Sequence, residues 1–480
     1  MKTYLTLRPV VAAAMAAVAL SACNLAPKFV QPALSVPDAV SAQAGTPAVA
    51  NAPALSYAQA QAWIQSSQLR EVVALALTHN RDLRIAVENI EKARAQYGIT
   101  RADLLPSITA QGQGTRSRTS ADLNSSGQSS ISEQFTAQLG FTSYEIDFWG
   151  RVRNLSEAGL QAFLQSEENQ RNVQIGLVAD VSNAWLSLAG DMARLQLAKD
   201  TLASREKAYA LTKRMFEIGS TSGLVLAQNL STVETARADV AAFTSQVARD
   251  RNALQLLVGG VVAADLLPNA QTLVVADANN LALLPVPEQL PSSVLLKRPD
   301  VQAAEHNLRA MNANIGAARA AMFPTISLTG SVGSGSRELD ALFGSGNGTW
   351  SFMPQIRLPI FDGGRLRAGV DVANANQRIA VAQYEKTVQN AFKEVADALA
   401  DRAQWGERLG AQTGMVLATQ KAFDLSEARF QAGVDNYLTV LDAQRSLYAA
   451  QQTLITLRLA EQTNRTTLWK VLGGQEVPLQ

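Results

Sequence analysis

Residues 364–474 contain no proline, the nearest being Pro359 and Pro478. A stretch that long without a helix breaker reads as two very long helices joined by one short break at 431–437. Residues 150–260 follow the same plan, with their break at 217–223. Gly150 and Gly364, Arg151 and Arg365, Arg153 and Arg367, Phe216 and Phe430, and Gly219 and Gly433 all lie 214 positions apart. The pairs Gly259-Gly260 and Gly473-Gly474 share that offset. The chain therefore carries a long-helix hairpin twice. Residues 151–217 alone could reach about 100 Å as a helix, more than a globular domain needs. Leu177, Val181, Ala184, Leu188, Met192, Leu195 and Leu202 follow mostly three- and four-residue steps, the spacing of a coiled-coil seam.

Charge excludes some functions. The 480 residues carry 42 Lys and Arg against 41 Asp and Glu, where a nucleic-acid binder shows a basic excess. Two histidines, His79 and His306, and one cysteine, Cys23, leave no disulfide within the chain and no Cys/His metal cluster. The cysteine falls at the end of a signal-like segment. Lys2 and Arg8 form a positive region, and 10–20 is an apolar run too short to span a bilayer. Leu20-Ser21-Ala22-Cys23 then resembles the bacterial lipobox, in which cleavage exposes the cysteine for lipidation; the plainer alternative is an ordinary secretory signal. Asn24 stands where an Asp commonly marks inner-membrane retention, so the address resembles an outer-membrane one. Residues 24–60, with Pro27, Pro32, Pro37, Pro47 and Pro53, read as an extended tether along a folded body.

Each repeat also carries strands. Residues 67–105 read as one helix with Leu69, Val72, Val73, Leu77, Ile85, Val87 and Ile90 on its apolar face, ending at Pro106. Pro324 is the counterpart, 218 positions on. After each proline the period becomes two. Phe135, Ala137, Leu139 and Phe141 alternate with Gln134, Thr136, Gln138 and Thr142. Ile326, Leu328, Gly330 and Val332 alternate with Thr325, Ser327, Thr329 and Ser331, and Trp350, Phe352 and Ile356 with Ser351, Gln355 and Arg357. Each repeat thus holds one β-hairpin, four strands in all. One apolar and one polar face fits either a sandwich sheet on a soluble core or a membrane barrel with a wet lumen. Four strands cannot close a barrel, and lipid tolerates no open edge, so the barrel reading requires strands from several chains. Residues 261–292, with Pro268, Pro285, Pro287 and Pro291, read as a crossover linker packed on the helices.

This order resembles the TolC-like outer-membrane factors, closest to the OprM-type lipoproteins of efflux systems, over the whole mature chain. The sharpest motifs are Phe361-Asp362-Gly363-Gly364-Arg365 and the run at 428–445 that begins Ala428-Arg429-Phe430. The resemblance implies a mixed α and β fold: a homotrimer whose twelve-stranded outer-membrane β-barrel, four strands per chain, continues into a periplasmic α-helical coiled-coil barrel. It implies a periplasmic membrane-fusion adaptor and an inner-membrane pump of the RND type as partners, with outer-membrane lipid around the barrel and no nucleic acid. The implied role is exit duct of a tripartite efflux pump exporting small molecules such as drugs. A duct for type I protein secretion shares the architecture, and a non-pore periplasmic coiled-coil lipoprotein is the structural alternative. The implied adaptor-contact tips are Ile218-Gly219-Ser220 and Ala432-Gly433-Val434. The implied periplasmic gate holds Asp442, with Asp435 and Tyr437, and a solvated helix residue is the plain alternative for Asp442.

No enzyme chemistry is legible. The Gly-rich run 344–348 lacks the Gly-Lys-Ser/Thr of a phosphate loop, and Asp362 beside two glycines reads as turn chemistry. No cofactor is expected beyond the lipid on Cys23. The expected division is a signal peptide (1–22), a lipidated tether (23–62), a first repeat (63–260), a linker (261–292), a second repeat (293–474) and a tail (475–480).

Overall fold

The computed structural model describes residues 24–33, 36–37, 39–41, 64, 66–273 and 289–474. Cys23, the segment 1–22, parts of the tether and linker, and the tail 475–480 lie outside the described residues. In chain order the elements are β1 (Ala39–Ser41), α1 (Ser67–His79), α2 (Arg81–Ala102), β2 (Ile108–Thr119), β3 (Ser130–Ile146), α3 (Arg151–Glu217), α4 (Gly223–Val258), β4 (Gln289–Pro291), α5 (Pro299–Ala320), β5 (Thr325–Ser336), β6 (Gly348–Arg357), α6 (Arg365–Gln431) and α7 (Tyr437–Val471). They fold as two compact units.

The first unit takes the described residues up to Ala33, then Asn89–Glu167 and Ala303–Glu385. Its centre is one antiparallel sheet in the order β2-β3-β5-β6, so β3 and β5 join the two hairpins. The register puts Ile108, Phe141, Gly330 and Phe352 in one row and Ala110, Leu139, Val332 and Trp350 in the next. These rows share a face because directly paired residues point the same way. The face is bare: Trp350 is 80% exposed, and Ile108, Leu139, Val332, Phe352 and Ile356 are also exposed. A sandwich needs a second sheet there. The one other sheet among the described residues is β1 against β4, three residues each, and it belongs to the other unit.

Three local devices shape the sheet. The Phe141 ring lies over Gly330 and the Phe135 ring over Gly114, filling what the glycines leave open. At Gly333 a Cβ would strike the Ala137 carbonyl, so strand contact itself selects glycine. A bulge between Phe141 and Tyr144 sets Ser143 at φ 55°, and its N–H donates to Thr329 Oγ1 at 3.1 Å.

An extended strap, Asn24 to Ala33, packs on the same unit. Asn154 Nδ2 donates to Asn24 Oδ1, Asn312 Nδ2 to the Pro27 carbonyl, and Gln31 Nε2 to Glu305 and Tyr384. Arg309 stacks over Phe29 at 4.9 Å. Gly316 has no side chain because the strap is there: a Cβ would sit 2.8 Å from Ala26.

The second unit takes the described residues within Leu34–Glu88, Glu168–Gln302 and Lys386–Gln480. Its core joins Leu69, Val72 and Val73 of α1, Val181, Trp185 and Leu188 of α3, and Leu254 and Val258 of α4. Val262, Leu266 and Leu273 of the linker enter that core, and Trp185 Nε1 donates to the Leu266 carbonyl at 3.0 Å. A fully buried Leu or Val stabilises by ~1.5–3 kcal/mol, so this cluster holds the linker firmly.

The helix expected over 67–105 is two helices. At Asn80 the backbone is extended, its Oδ1 accepts from Leu83 N at 2.8 Å, and its Nδ2 donates to the Leu257 carbonyl at 2.7 Å. One side chain therefore ends α1, caps α2 and ties both to α4. Beyond the break the buried side is Leu83 and Ala86, while Ile85 and Val87, expected on the apolar face, are exposed. The second repeat has the same tie 218 positions on. Arg298 Nη1 donates to the Val471 carbonyl, and its other nitrogens pair with Asp300 and Glu394. Both helices before the sheet stop four residues short of their proline, at Ala102 before Pro106 and Ala320 before Pro324.

Candidate functional site

The two breaks expected to form the tip close by one motif. After α3, Gly219 N donates to the Phe216 carbonyl at 2.9 Å and Ser220 N to the Met215 carbonyl at 2.8 Å. After α6, Gly433 N donates to the Phe430 carbonyl and Val434 N to the Arg429 carbonyl, both at 2.9 Å. Gly219 has φ 75° and Gly433 φ 73°, the left-handed C-terminal turn that glycine adopts without strain. Ser222 and Asn436 then accept from Val225 N and Thr439 N, starting α4 and α7. These caps also stand 214 apart.

The turns expose apolar side chains. Ile218 is 79% and Val434 62% exposed, with Leu224 and Leu438 beside them in sequence and also exposed. Gly219, Ser220, Ala432 and Gly433 lie on the surface as well.

The three expected gate residues have different surroundings. Asp435 pairs with Arg429 at 2.6 and 3.0 Å, and that guanidinium holds its carboxyl below the usual range. Tyr437 is buried. Its hydroxyl donates to Asn229 Oδ1 at 2.8 Å and its ring meets Phe430 edge-on at 5.1 Å, over Val440 and Leu441. Burial pushes its hydroxyl pKa up. Asp442 is on the surface, its side chain 77% exposed and 3.7 Å from Arg445.

Sequence reasoning missed the residues that receive Tyr437. Asn229 Nδ2 donates to Thr212 Oγ1, Thr232 Oγ1 to the Asn229 carbonyl, and Arg205 Nη1 to the Thr232 carbonyl. Arg205 lies over the Tyr448 ring, whose hydroxyl donates to Asp239. Burial lowers the Arg205 pKa. The signal was present: Val225, Asn229, Thr232 and Ala236 occupy successive seam positions, so two polar residues stood where apolar ones were due.

The other candidates make local structural contacts. His306 Nδ1 meets Gln161 Oε1 at 2.7 Å, and His79 Nδ1 meets the Leu75 carbonyl of its own helix. Asp362 accepts from Gly364 N and Leu366 N, capping α6 as its turn chemistry implied. Among the described residues no cluster of His, Cys, Asp or Glu could hold a metal ion. Also among them, no helix is long and apolar enough to cross a membrane.

The comparisons agree with this layout. The family model for outer membrane efflux proteins matches residues 72–260 and 290–474. The toluene efflux pump outer membrane protein TtgC of Pseudomonas putida is 44% identical over 464 residues, covering 96% of this chain and 94% of its own. The cation efflux system protein CusC of Escherichia coli is 40% identical over 459 residues, covering 95% and 97%. The crystal structure of the open state of the Neisseria gonorrhoeae MtrE outer membrane channel superposes with a TM-score of 0.82 at 35% identity, covering 94% of this chain and 98% of that one.

Proposed function

The chain belongs to the outer membrane efflux protein family, and on that footing we propose that it is the exit duct of a tripartite pump exporting small molecules. It is an outer membrane efflux channel and not an enzyme. In this reading three copies join their sheets into one twelve-stranded barrel, and the long helices form the periplasmic duct. The observation that carries it is the sheet. Among the described residues its apolar face is uncovered, and β2 and β6 each leave one edge unpaired. Lipid accepts such a face but no open edge, so closure has to come from further copies.

The remaining parts follow from the same reading. Residues 1–22 are removed, Cys23 carries the lipid, and the strap from Asn24 leads from that anchor onto the sheet unit. The exposed Ile218 and Val434 turns meet a periplasmic adaptor, with an inner-membrane transporter supplying the energy. Asp442 is the gate residue that faces the axis, while Tyr437 supports it from inside the chain. The names of TtgC and CusC speak of toluene and cations, which favours small cargo over a secreted protein.

The test is purified protein in planar bilayers together with native mass spectrometry in detergent. Ion conductance and a trimer mass are the expected result. A stable monomer without conductance would leave the coiled-coil lipoprotein reading in its place.

A further inference from the structure

The register of the four-stranded sheet leaves its second face almost free of charge. One row there runs from Gln111 through Gln138 to Thr349, and the next from Thr109 to Ser351. Side chains on this face are uncharged: hydroxyls and amides interspersed with glycine, and Met353 opposite Thr329. The opposite face carries its own charges near the hairpin end, where Arg116 pairs with Glu133 at 2.8 Å.

Two charged strand residues interrupt the neutral face, both at the end of the sheet next to the helices. Glu145, opposite Ser327, is held by Arg151 through a two-pronged pair at 2.9 and 2.6 Å. Arg357, opposite Thr325 on the edge strand β6, is exposed. Among the described residues no acid lies within ion-pair distance of it; its carbonyl accepts from Thr325 Oγ1.

We propose that Arg357 sets the charge preference of the pathway at the junction of strands and helices, favouring anions and disfavouring cations at that level. The inference rests on the reading that the polar face lines a shared lumen. A guanidinium is charged at every working pH, and here neither neighbour nor wall offsets it. Three chains would place three such charges at one level. The rest of the wall, made of weak dipoles, adds no competing field. Screening confines the effect to about 10 Å at 0.1 M salt, so it acts where the path passes Arg357 and fades in concentrated salt.

The experiment is the reversal potential of single channels in a tenfold KCl gradient, for the wild type, Arg357→Gln and Arg357→Glu. The cation-to-anion permeability ratio is expected to rise roughly twofold in the first variant and further in the second, with the differences shrinking near 1 M salt. Unchanged ratios in both variants of a conducting protein overturn the inference alone. A wild type that does not conduct overturns the pore reading and this inference with it. A water-soluble thiol reagent on proteoliposomes checks the face. Labelling is expected at Arg357→Cys and not at Ile356→Cys, with the parent chain, whose one cysteine is Cys23, as background. The reverse pattern places Arg357 against lipid and refutes the assignment.

Discussion

Two carboxylates on the helices test opposite kinds of surroundings. Asp442 is exposed and, among the described residues, pairs with Arg445 alone, so in the proposed duct its contribution has to come from what it faces there. Asp442→Ala is expected to reduce cation selectivity without moving thermal stability, read from reversal potential and unfolding midpoint. A mutant matching the wild type in selectivity returns Asp442 to a solvated helix residue. Asp250 is the other kind. Burial first, and then the Asp191 carboxylate, push its pKa from 3.8 up to about 6. Arg194 pairs with Asp191, and Gln246 donates to Asp250, which restrains the shift. The folded chain therefore holds the proton more tightly than the unfolded one. That stabilisation is complete below pH 3.8 and is lost as pH rises through 6. The partly exposed site limits it to on the order of 1 kcal/mol. Asp250→Asn is expected to raise the unfolding midpoint at pH 8 and to narrow the gap between pH 5 and pH 8; an unaltered gap counts against it.

Among the elements, the two repeats end their last helix pair with the same glycine but not the same neighbours. Gly259 has φ 80° and Gly473 φ 78°. A Cβ at Gly259 would meet the His79 carbonyl oxygen at 2.5 Å, whereas at Gly473 the nearest atoms are Arg298 carbons at 3.4 Å. Gly473→Ala should cost about 1 kcal/mol for the backbone alone, and Gly259→Ala clearly more, because a carbonyl has to move. Equal losses in thermal unfolding would show that α1 yields freely at His79. This asymmetry was hidden in the sequence, where both positions read as Gly-Gly. Other elements were legible. The helices at 151–217 and 365–431 end where the composition changes, because nothing inside them breaks a helix. The break at Asn80 was not, since asparagine is tolerated in helices and its partner carbonyl lies 177 positions away. The burial of Tyr437 was not legible for the same reason: Asn229, which accepts from its hydroxyl, is 208 positions off. Local chemistry reads out of a sequence; partners brought together by the fold do not.

At the scale of the molecule, the strap and the sheet both join distant parts of the chain. The strap begins one residue after Cys23 and is held by hydrogen bonds and Phe29 stacking. Cys23→Ser is therefore expected to keep the wild-type circular dichroism and unfolding midpoint while losing the lipid mass from its N-terminal peptide. A wild-type terminus that is uncleaved or unmodified would remove the anchor. In the sheet, Ile146 pairs with Ile326, 180 positions later (326 − 146). Delivered N-terminus first, as in synthesis or in export, β5 arrives only after β3 and the whole helical stretch between them. In that interval the first hairpin is two strands with a free edge, marginal alone and open to wrong pairing. The helices between need no such wait, since their hydrogen bonds are local. The order of assembly follows from connectivity: helices first, sheet once β5 has arrived, membrane last. Chains stalled before β5 should be cut by protease across 108–146 while 151–258 resists; equal resistance would mean the first hairpin is already sheltered before its partner strand exists.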